Sequence, residues 1–306
     1  MDKVINYSLI GANGYWSKNL YNTLTKLNYP LIRTVDLVGE GFSNIPHSSS
    51  LTDILNDGQL DAALIATPPT THFFIAKECL NAGLHVFCEK PITLNEEDAR
   101  ELNQIAKSNN LILMVDLTWN YNEIYYFIKS ALELRRFGKL ISVKLNWEAF
   151  GRFSQVGVVN DLAPHPLSQI IGWLGYPTYI SATGYINNGI TESADIKLTY
   201  KNNFIVNICV SWLSPRKIRR VEVTTESGLI ESSYDGIVRF IPFNGDAELY
   251  RPASLGSPLE VEMIHFRNCI LEGKETLSSG NVGANIVRIC ELAEESVRQN
   301  GAEKRL

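Results

Sequence analysis

The chain contains no apolar run of bilayer length, no cysteines at metal or redox spacing, and no excess of positive charge. Each absence removes a class of function. A membrane-spanning helix needs about 18 or more consecutive apolar residues, and none is present. The opening Met1-Asp2-Lys3-Val4-Ile5-Asn6-Tyr7 lacks the long apolar core of a secretory leader, so a cytoplasmic protein is expected. The five cysteines, Cys79, Cys88, Cys209, Cys269 and Cys290, are odd in number and widely spaced, with no Cys-x-x-Cys pair and no histidine cluster beside them. They read as reduced and mostly buried, and no metal site is expected. A formal net charge of -5 leaves no broad basic footprint for nucleic acid or an anionic membrane. The expected partner is a small molecule.

What is present is enough apolar residue for two domains: 45% of the 306 residues are hydrophobic and 20% charged. A short apolar strand, Asn6 to Ile10, runs into Gly11-Ala12-Asn13-Gly14-Tyr15-Trp16-Ser17 and then a helical pattern through Leu20, Leu24 and Leu27. Glycines let a backbone approach a pyrophosphate, and the helix that follows offers free N–H groups and a positive dipole end. The spelling departs from Gly-x-Gly-x-x-Gly, since two residues separate Gly11 from Gly14 and Ser17 takes the last place, so a plain turn competes with the phosphate reading. A second strand, Ile32 to Val35, ends in Asp36, whose carboxylate would accept hydrogen bonds from an adenosine ribose and repel a 2′-phosphate. That favours NAD over NADP. Arg33 lies inside the strand and is not read as a phosphate clamp.

Residues Gly39 to Ser50 read as a loop and Leu51 to Leu55 as a short helix. Ala62 to Ala66 is a continuous apolar strand that should be buried on both faces. Thr67-Pro68-Pro69 ends it, so Thr67 to His72 is expected as a loop at the sheet's carboxyl edge, followed by a helix over 73–82; taken alone, His72 reads as a helix-start histidine. The next strand, His85-Val86-Phe87-Cys88, is closed by Glu89-Lys90-Pro91, because proline cannot continue a central ladder. Lys90 therefore falls at the carboxyl edge, where open parallel sheets bind ligands and where a cation can hold a hydroxyl or polarise a carbonyl. A helix capped by Thr93 or Asn95 runs to about Ser108. A buried strand, Leu111 to Val115, then leads into Asp116-Leu117-Thr118-Trp119-Asn120-Tyr121.

After a helix from Asn122 to Phe137, closed by Gly138, the period becomes two. Leu140 to Trp147 alternates, as do Ile196-Leu198-Tyr200 and Phe204-Val206-Ile208-Val210-Trp212, and Val221 to Thr224 and Ile237 to Phe240 continue the series. Consecutive alternating strands imply a mostly antiparallel sheet with one helix-covered face, its other face available to a second copy in a homodimer or homotetramer. Leu259 to Leu271 and Val282 to Val297 read as closing helices. Asp161 and His165 stand four residues apart, on one face of a helix, where they could position a hydroxyl and exchange its proton. A capping aspartate beside a structural histidine is the plainer account of the same two residues.

The run Asp61 to His72, the helix after it and the Glu89-Lys90-Pro91 turn together resemble the Gfo/Idh/MocA family of nicotinamide-dependent oxidoreductases, over essentially the whole chain. The resemblance implies an α/β fold, with a doubly wound Rossmann domain over 1–120 and an α+β substrate-binding and oligomerisation domain, built on a mostly antiparallel open sheet, over 121–306. It implies a catalytic set of Lys90, Asp161 and His165, and a cis Lys90–Pro91 peptide. Cofactor contacts would come from Gly11, Asn13, Gly14, Tyr15, Trp16, Asp36, Thr67, Pro68, His72, Glu89 and Lys90. Substrate contacts would come from Lys90, Tyr121, Trp147, Arg152, Asp161 and His165, with Trp119 and Tyr121 readable equally as core.

Two features depart from the family pattern: Pro166 stands where many relatives carry an aspartate, and the glycine-rich approach is reduced to Gly157. Trp147, Glu148, Phe150, Arg152 and Phe153 suit stacking on a sugar and pairing with a carboxylate or phosphate. The cations of Ser211 to Arg220 resemble the corresponding stretch in members acting on nucleotide-linked amino sugars, the UDP-N-acetylglucosamine 3-dehydrogenases among them, with a solvated strand turn as the bland alternative. The expectation is an NAD-dependent oxidoreductase interconverting a secondary alcohol and a ketone on a sugar or sugar nucleotide. Its rivals are a biosynthetic reductase of a non-sugar ketone or imine on the same fold, and a non-catalytic NAD-binding sensor.

Overall fold

The computed structural model describes residues 3–151 and 153–306. The chain forms two compact units, Met1–Thr118 with Gly256–Asn285, and Trp119–Leu255 with Ile286–Leu306. That division has three crossings where the sequence reading has one.

The first unit carries strands β1 (Tyr7–Ile10), β2 (Leu31–Val35), β3 (His47–Ser48), β4 (Ala62–Ile65), β5 (His85–Cys88) and β6 (Leu113–Val115), interleaved with helices α1 (Tyr15–Lys26), α2 (Thr52–Leu55), α3 (Pro69–Asn81) and α4 (Glu96–Ser108). The strands form one sheet in the order β3-β2-β1-β4-β5-β6, and every neighbouring pair is parallel. Order reverses between β1 and β4, which makes the sheet doubly wound. Every residue of these two central strands is buried, as a parallel strand covered on both faces requires.

Three local differences from the sequence reading have physical causes. The loop expected over Gly39 to Ser50 contains β3, a two-residue strand made only by its pairing with Thr34 and Val35, which leaves no periodic signal. Helix α3 starts at Pro69 rather than at Phe73. Proline suits a first helical position because its missing N–H would have no partner there, so the expected Thr67 to His72 loop is mostly the first turn of a helix. Between the two candidate caps of α4 the structure selects Asn95, whose side chain accepts the Asp98 N–H at 2.9 Å.

The second unit contains α5 (Glu123–Glu133), β7 (Leu140–Glu148), α6 (Gly157–Leu162), α7 (Pro164–Leu174), β8 (Tyr179–Asn187), β9 (Ile190–Thr199), β10 (Ile205–Ser211), β11 (Ile218–Thr225), β12 (Gly228–Ser232), β13 (Val238–Pro242) and β14 (Glu248–Tyr250). The chain ends with α8 (Pro258–Glu272), α9 (Gly280–Arg298) and β15 (Lys304–Arg305). Helix α8 belongs to the first unit, where its Phe266 ring lies 6.5 Å from Tyr7 and 5.6 Å from Phe87. Sheet order in the second unit is β14-β13-β12-β11-β7-β10-β9-β8-β15. Its one parallel pair is β7 with β10, and the other pairs are antiparallel.

Strands β8, β12, β14 and β15 were not legible as alternating runs: beyond Ala182, for instance, every residue of β8 is exposed. Helix α5 stops short of Phe137 because Arg135 adopts a left-handed φ of 50°, which no helix continues through.

Candidate active site

The carboxyl edge of the parallel sheet collects the residues expected to hold a dinucleotide. Gly11 leaves β1 with φ +86°, and its N–H donates to Val35 O at 2.8 Å. A Cβ there would stand 2.7 Å from Ala66 O, so only glycine lets the turn pass this close to the end of β4. Gly14 is the N-cap of α1, which has no side-chain cap and no acidic residue in its first turn. The first amides of a twelve-residue helix are thereby left to an anion, which fits a pyrophosphate. Asp36, just past β2, accepts the Asn13 N–H at 2.9 Å and the Val38 N–H at 3.3 Å. Its carboxylate is held at the glycine turn, where a ribose hydroxyl could reach it.

The other residues expected at the cofactor differ in exposure and bonding. Tyr15 is 79% exposed. Trp16 donates its indole N–H to Asp116 Oδ2 at 2.6 Å, so its polar atom is already engaged. His72 is 1% exposed, with one ring nitrogen 2.8 Å from Pro91 O and the other 2.8 Å from Thr67 O. It links the turn after β4 to the turn after β5 and offers no face to a ligand. It stands in the first turn of α3, the place of a helix-start histidine, and its two ring bonds tie the platform together. Burial pushes its pKa down, the two carbonyls oppose that shift, and the nearby charge of Lys90 adds to it. Thr67 is half-buried and Pro68 exposed beside it.

Glu89 and Lys90 follow β5 directly, both half-buried, and the Glu89 side chain accepts the Lys90 N–H at 2.8 Å. The Lys90–Pro91 peptide is cis, as expected. The charge of Lys90 is felt by both His72 and Asp116, which places the ammonium at the edge where β4, β5 and β6 end.

Asp116 is a residue the sequence reading passed over, although its place directly after β6 matches that of Asp36 after β2. It is buried, receives the Trp16 indole N–H and bonds the Thr118 hydroxyl. Beside it lies Glu262 of α8, fully buried, whose Oε1 accepts the Leu117 N–H at 2.9 Å. Burial raises the pKa of both carboxyls, and for Glu262 the charge of Asp116 raises it further. Two carboxyls in one apolar place favour holding a proton between them. No helical periodicity in α8 marks a glutamate on its buried side.

In the second unit, Asp161 lies in the last turn of α6 and His165 in the first turn of α7, both half-buried. The two helices are separate elements, because Pro164 and Pro166 carry no N–H to complete the ladder. Ala163 between them nevertheless keeps helical angles of φ -66° and ψ -27°, so the four-residue spacing still runs along helical backbone. Trp212, buried just beyond β10, donates its indole N–H to Asp161 Oδ2 at 3.1 Å. Phe153 packs on Trp212 at 5.8 Å and Phe150 on Phe153 at 6.2 Å. Ser168 Oγ is bonded to His165 O at 2.8 Å and to the buried Asn120 Oδ1 at 2.9 Å, tying the start of α7 to the 3₁₀ turn Thr118–Tyr121.

Trp147, at the end of β7, lies 6.1 Å from His165, ring to ring. It packs edge-on with Trp119 at 5.1 Å and Tyr234 at 5.2 Å, and these two lie 5.3 Å apart. The Tyr234 hydroxyl donates to Gln169 Oε1 at 2.6 Å, while Gln169 Nε2 donates to Trp119 O at 3.2 Å. Tyr121 is 1% exposed, so of its two readings the core one fits. Arg152 lies outside the described residues. Tyr234 and Arg219, which complete the aromatic wall, had no mark in the sequence beyond a turn and a run of cations. Among the described residues no group of three or more His, Cys, Asp or Glu stands ready for a metal ion.

Two family models match the chain, together over more than half of it: an oxidoreductase family NAD-binding Rossmann fold over residues 34–117, and the GFO/IDH/MocA C-terminal domain over residues 127–231. An uncharacterised oxidoreductase of Schizosaccharomyces pombe is 30% identical over 151 residues, 46% of this chain and 41% of its own length. The matched part thus spans about two fifths of that relative. UDP-N-acetylglucosamine 3-dehydrogenase of Acidithiobacillus ferrooxidans is 26% identical over 176 residues, 54% of this chain and 53% of that protein. A solved structure of that enzyme superposes with a TM-score of 0.86 at 20% identity, covering 97% of this chain and 99% of the other. A levoglucosan dehydrogenase in complex with NADH and levoglucosan superposes with a TM-score of 0.90 at 16% identity, covering 99% of each chain. At these identities the superpositions establish the fold.

Proposed function

Because this chain belongs to the Gfo/Idh/MocA family of oxidoreductases, we propose that it moves a hydride between a nicotinamide dinucleotide, NAD in preference to NADP, and a secondary alcohol or ketone on a sugar or sugar nucleotide. The observation that carries this reading is the Asp161 carboxylate, fixed by Trp212 along helical backbone from His165, beside the buried Trp147 and Trp212 and the exposed Phe153. A carboxylate and an imidazole so placed can order a hydroxyl and exchange its proton.

The dinucleotide, when bound, supplies the two-electron acceptor or donor. Gly11, Gly14 and the first amides of α1 would hold its pyrophosphate, and Asp36 its ribose. In the oxidative direction the alcohol carbon gives up its hydrogen with the bonding pair, and the hydroxyl proton passes to His165. The carbonyl double bond forms from the oxygen's electrons. Asp161 holds the hydroxyl, or the histidine that receives its proton. Lys90 stabilises the negative charge that builds on the oxygen, and reduction retraces the same steps. We read the cytoplasm as the enzyme's place and the outward face of the nine-stranded sheet as covered by a second copy.

Titrating the purified, cofactor-free protein with NADH and NADPH, followed by energy transfer from tryptophan, tests the platform. A panel of sugars and sugar nucleotides is then screened for dinucleotide reduction, with wild type and Lys90→Ala. Tighter NADH than NADPH binding and oxidation of a panel member, reduced by roughly a hundredfold or more in Lys90→Ala, is the expected result. Tighter NADPH binding overturns the cofactor choice alone. Binding of neither dinucleotide defeats the oxidoreductase reading, and near-normal turnover in Lys90→Ala defeats the role given to that residue.

A further inference from the structure

We propose that Asp116 is a positioning residue for the dinucleotide: through the Trp16 indole it holds the first turn of α1, whose open amides would take the pyrophosphate, while Glu262 carries the proton of the buried carboxyl pair. The inference rests on the reading of the Gly11 turn and α1 as the cradle of a nicotinamide dinucleotide, and names what keeps that cradle in shape.

A helix that leaves its first amides to a ligand gives up the side chain that would ordinarily cap them. Gly14 supplies no cap to α1, and the first turn carries no acidic residue. Without another restraint such an end frays, and a ligand that meets frayed amides loses affinity in ordering them. Two side chains of this turn supply the restraint. The Ser17 hydroxyl bonds Gly11 O within the turn itself. The half-buried Trp16 reaches further, its Nε1–H meeting Asp116 Oδ2 at 2.6 Å, 100 positions along the chain. Asp116 directly follows β6, and in the sheet β4 and β5 stand between β1 and β6. The bond therefore ties the helix that follows β1 to the edge strand β6, past the carboxyl ends of two others.

The receiving end of this latch is built. Asp116 is 2% exposed, and both of its oxygens serve as acceptors, Oδ2 for Trp16 and Oδ1 for the Thr118 hydroxyl. Its own N–H donates to Cys88 O at 2.8 Å, which fixes its backbone to the end of β5. Glu262 of α8 is wholly buried beside it. Its Oε1 accepts the Leu117 N–H at 2.9 Å, and among the described residues no donor reaches its Oε2. An ionised oxygen left without a donor, buried against a second carboxylate, is strongly disfavoured. The pattern of donors thus puts the proton on Glu262 Oε2 and the charge on Asp116. Burial raises the pKa of both groups, but for Asp116 the bonds from Thr118 and Trp16 and the charge of Lys90 oppose it, whereas for Glu262 the charge of Asp116 adds to it. The pair then carries one negative charge rather than two, near a site that would hold an anion.

Calorimetric titration of the full chain with NADH and NADPH tests the latch, in wild type, Trp16→Phe, Asp116→Ala, the double variant, Glu262→Ala and Glu262→Gln. Trp16→Phe keeps a ring and removes the donor, so its thermal midpoint should stay near that of wild type, and it tests the bond should Asp116→Ala not fold. For the dinucleotide that wild type binds more tightly, affinity should fall roughly tenfold or more in Trp16→Phe and in Asp116→Ala. The double variant should bind no more weakly than the weaker single one, because both substitutions break the same bond. Glu262→Gln, which resembles the protonated carboxyl, should recover most of what Glu262→Ala loses.

The latch is overturned if Trp16→Phe binds as wild type does, if the two single losses add in the double variant, or if Glu262→Gln binds as weakly as Glu262→Ala. Binding of neither dinucleotide by wild type overturns the cradle and the latch together. Binding that depends on the latch, with no turnover of any sugar or sugar nucleotide, defeats the proposed activity and upholds the latch.

Discussion

The indole N–H of Trp212 donates to Asp161 Oδ2 at 3.1 Å, and the two residues are 51 positions apart in the chain. A hydrogen bond to a charged acceptor is worth about 1.5–3 kcal/mol, enough to decide which way a half-buried carboxylate points. Trp212→Phe keeps the ring that Phe153 packs on and removes only the donor. It should lower kcat by roughly 10- to 100-fold with NADH affinity and thermal midpoint little changed. Steady-state kinetics with a dinucleotide titration would check this. Equal loss of NADH binding would mean that Trp212 supports the fold and not the direction of Asp161.

Asp36 brings a negative charge to the place where a 2′-phosphate would lie, and two backbone amides already hold it there. Asp36→Asn keeps an acceptor oxygen for one of those two amides while removing the charge. The ratio of NADPH to NADH affinity should then rise by roughly tenfold or more, as expected for two charges separated by a few ångströms near a protein surface. Fluorescence titration with both dinucleotides measures it, and an unchanged ratio would take Asp36 out of cofactor selection.

His85 is kept neutral by its surroundings. Burial lowers its pKa first and the charge of Lys3 adds to this, while its Nδ1 accepts the Ile112 N–H at 2.9 Å. In the unfolded chain it would titrate near 6.5. Below that pH the unfolded state therefore binds more protons than the folded one, and stability is lost as pH falls toward the lowered folded value. His85→Asn, whose side-chain oxygen can replace Nδ1 as acceptor, takes this proton out of the balance. Wild type should lose denaturant midpoint relative to His85→Asn as pH drops below about 6.5. A constant difference between pH 8 and 5 would contradict the neutral assignment.

Glu262 and Asp116 have the opposite sign. Folded, their carboxyls hold a proton to higher pH than the unfolded chain does, because burial raises both values. Their contribution is complete below the unfolded pKa of Glu262, near 4.5, and is lost as pH rises toward the folded value. Glu262→Gln keeps an acceptor for the Leu117 N–H and cannot ionise. Its stability relative to wild type should grow as pH rises from about 4.5, which chemical denaturation at a series of pH values would show. A difference that stays constant over that range would mean that the pair is ionised as readily folded as unfolded.

The parts of the site that were legible in the sequence are those whose chemistry is local. Gly11 announces a left-handed turn, Asp36 and Lys90 end strands whose apolar runs are unmistakable, and Asp161 with His165 shows a one-turn spacing. What stayed hidden depends on pairing between distant segments. Trp212 reads as one more apolar residue at the end of an alternating strand until β10 lies beside β7. Arg219 reads as one cation among four until the β11–β7 register puts it opposite Trp147. His72 reads as a residue of a loop or a helix start, but nothing near it in sequence shows that Pro91 O and Thr67 O will both face its ring. Of the strands missed, β3, β12, β14 and β15 are five residues or fewer and exist through their neighbours, while the nine-residue β8 is exposed from Thr183 on and so shows no alternation.

The single parallel pairing in the nine-stranded sheet sets Val210 beside Trp147 and Ser211 beside Glu148, so both strands deliver their last residues to the same rim. Trp147 and Trp212 are therefore held by the ladder itself and not by the chain that joins β7 to α6. Apart from Phe153, which packs on Trp212, that segment can be rewritten with little effect on either ring, because its ends are fixed by backbone pairing on one side and by helix on the other. Change in what such an enzyme accepts as substrate can accumulate there while the carboxylate, the imidazole and the two indoles keep their stations, which makes the segment after Glu148 the natural place to graft a new specificity.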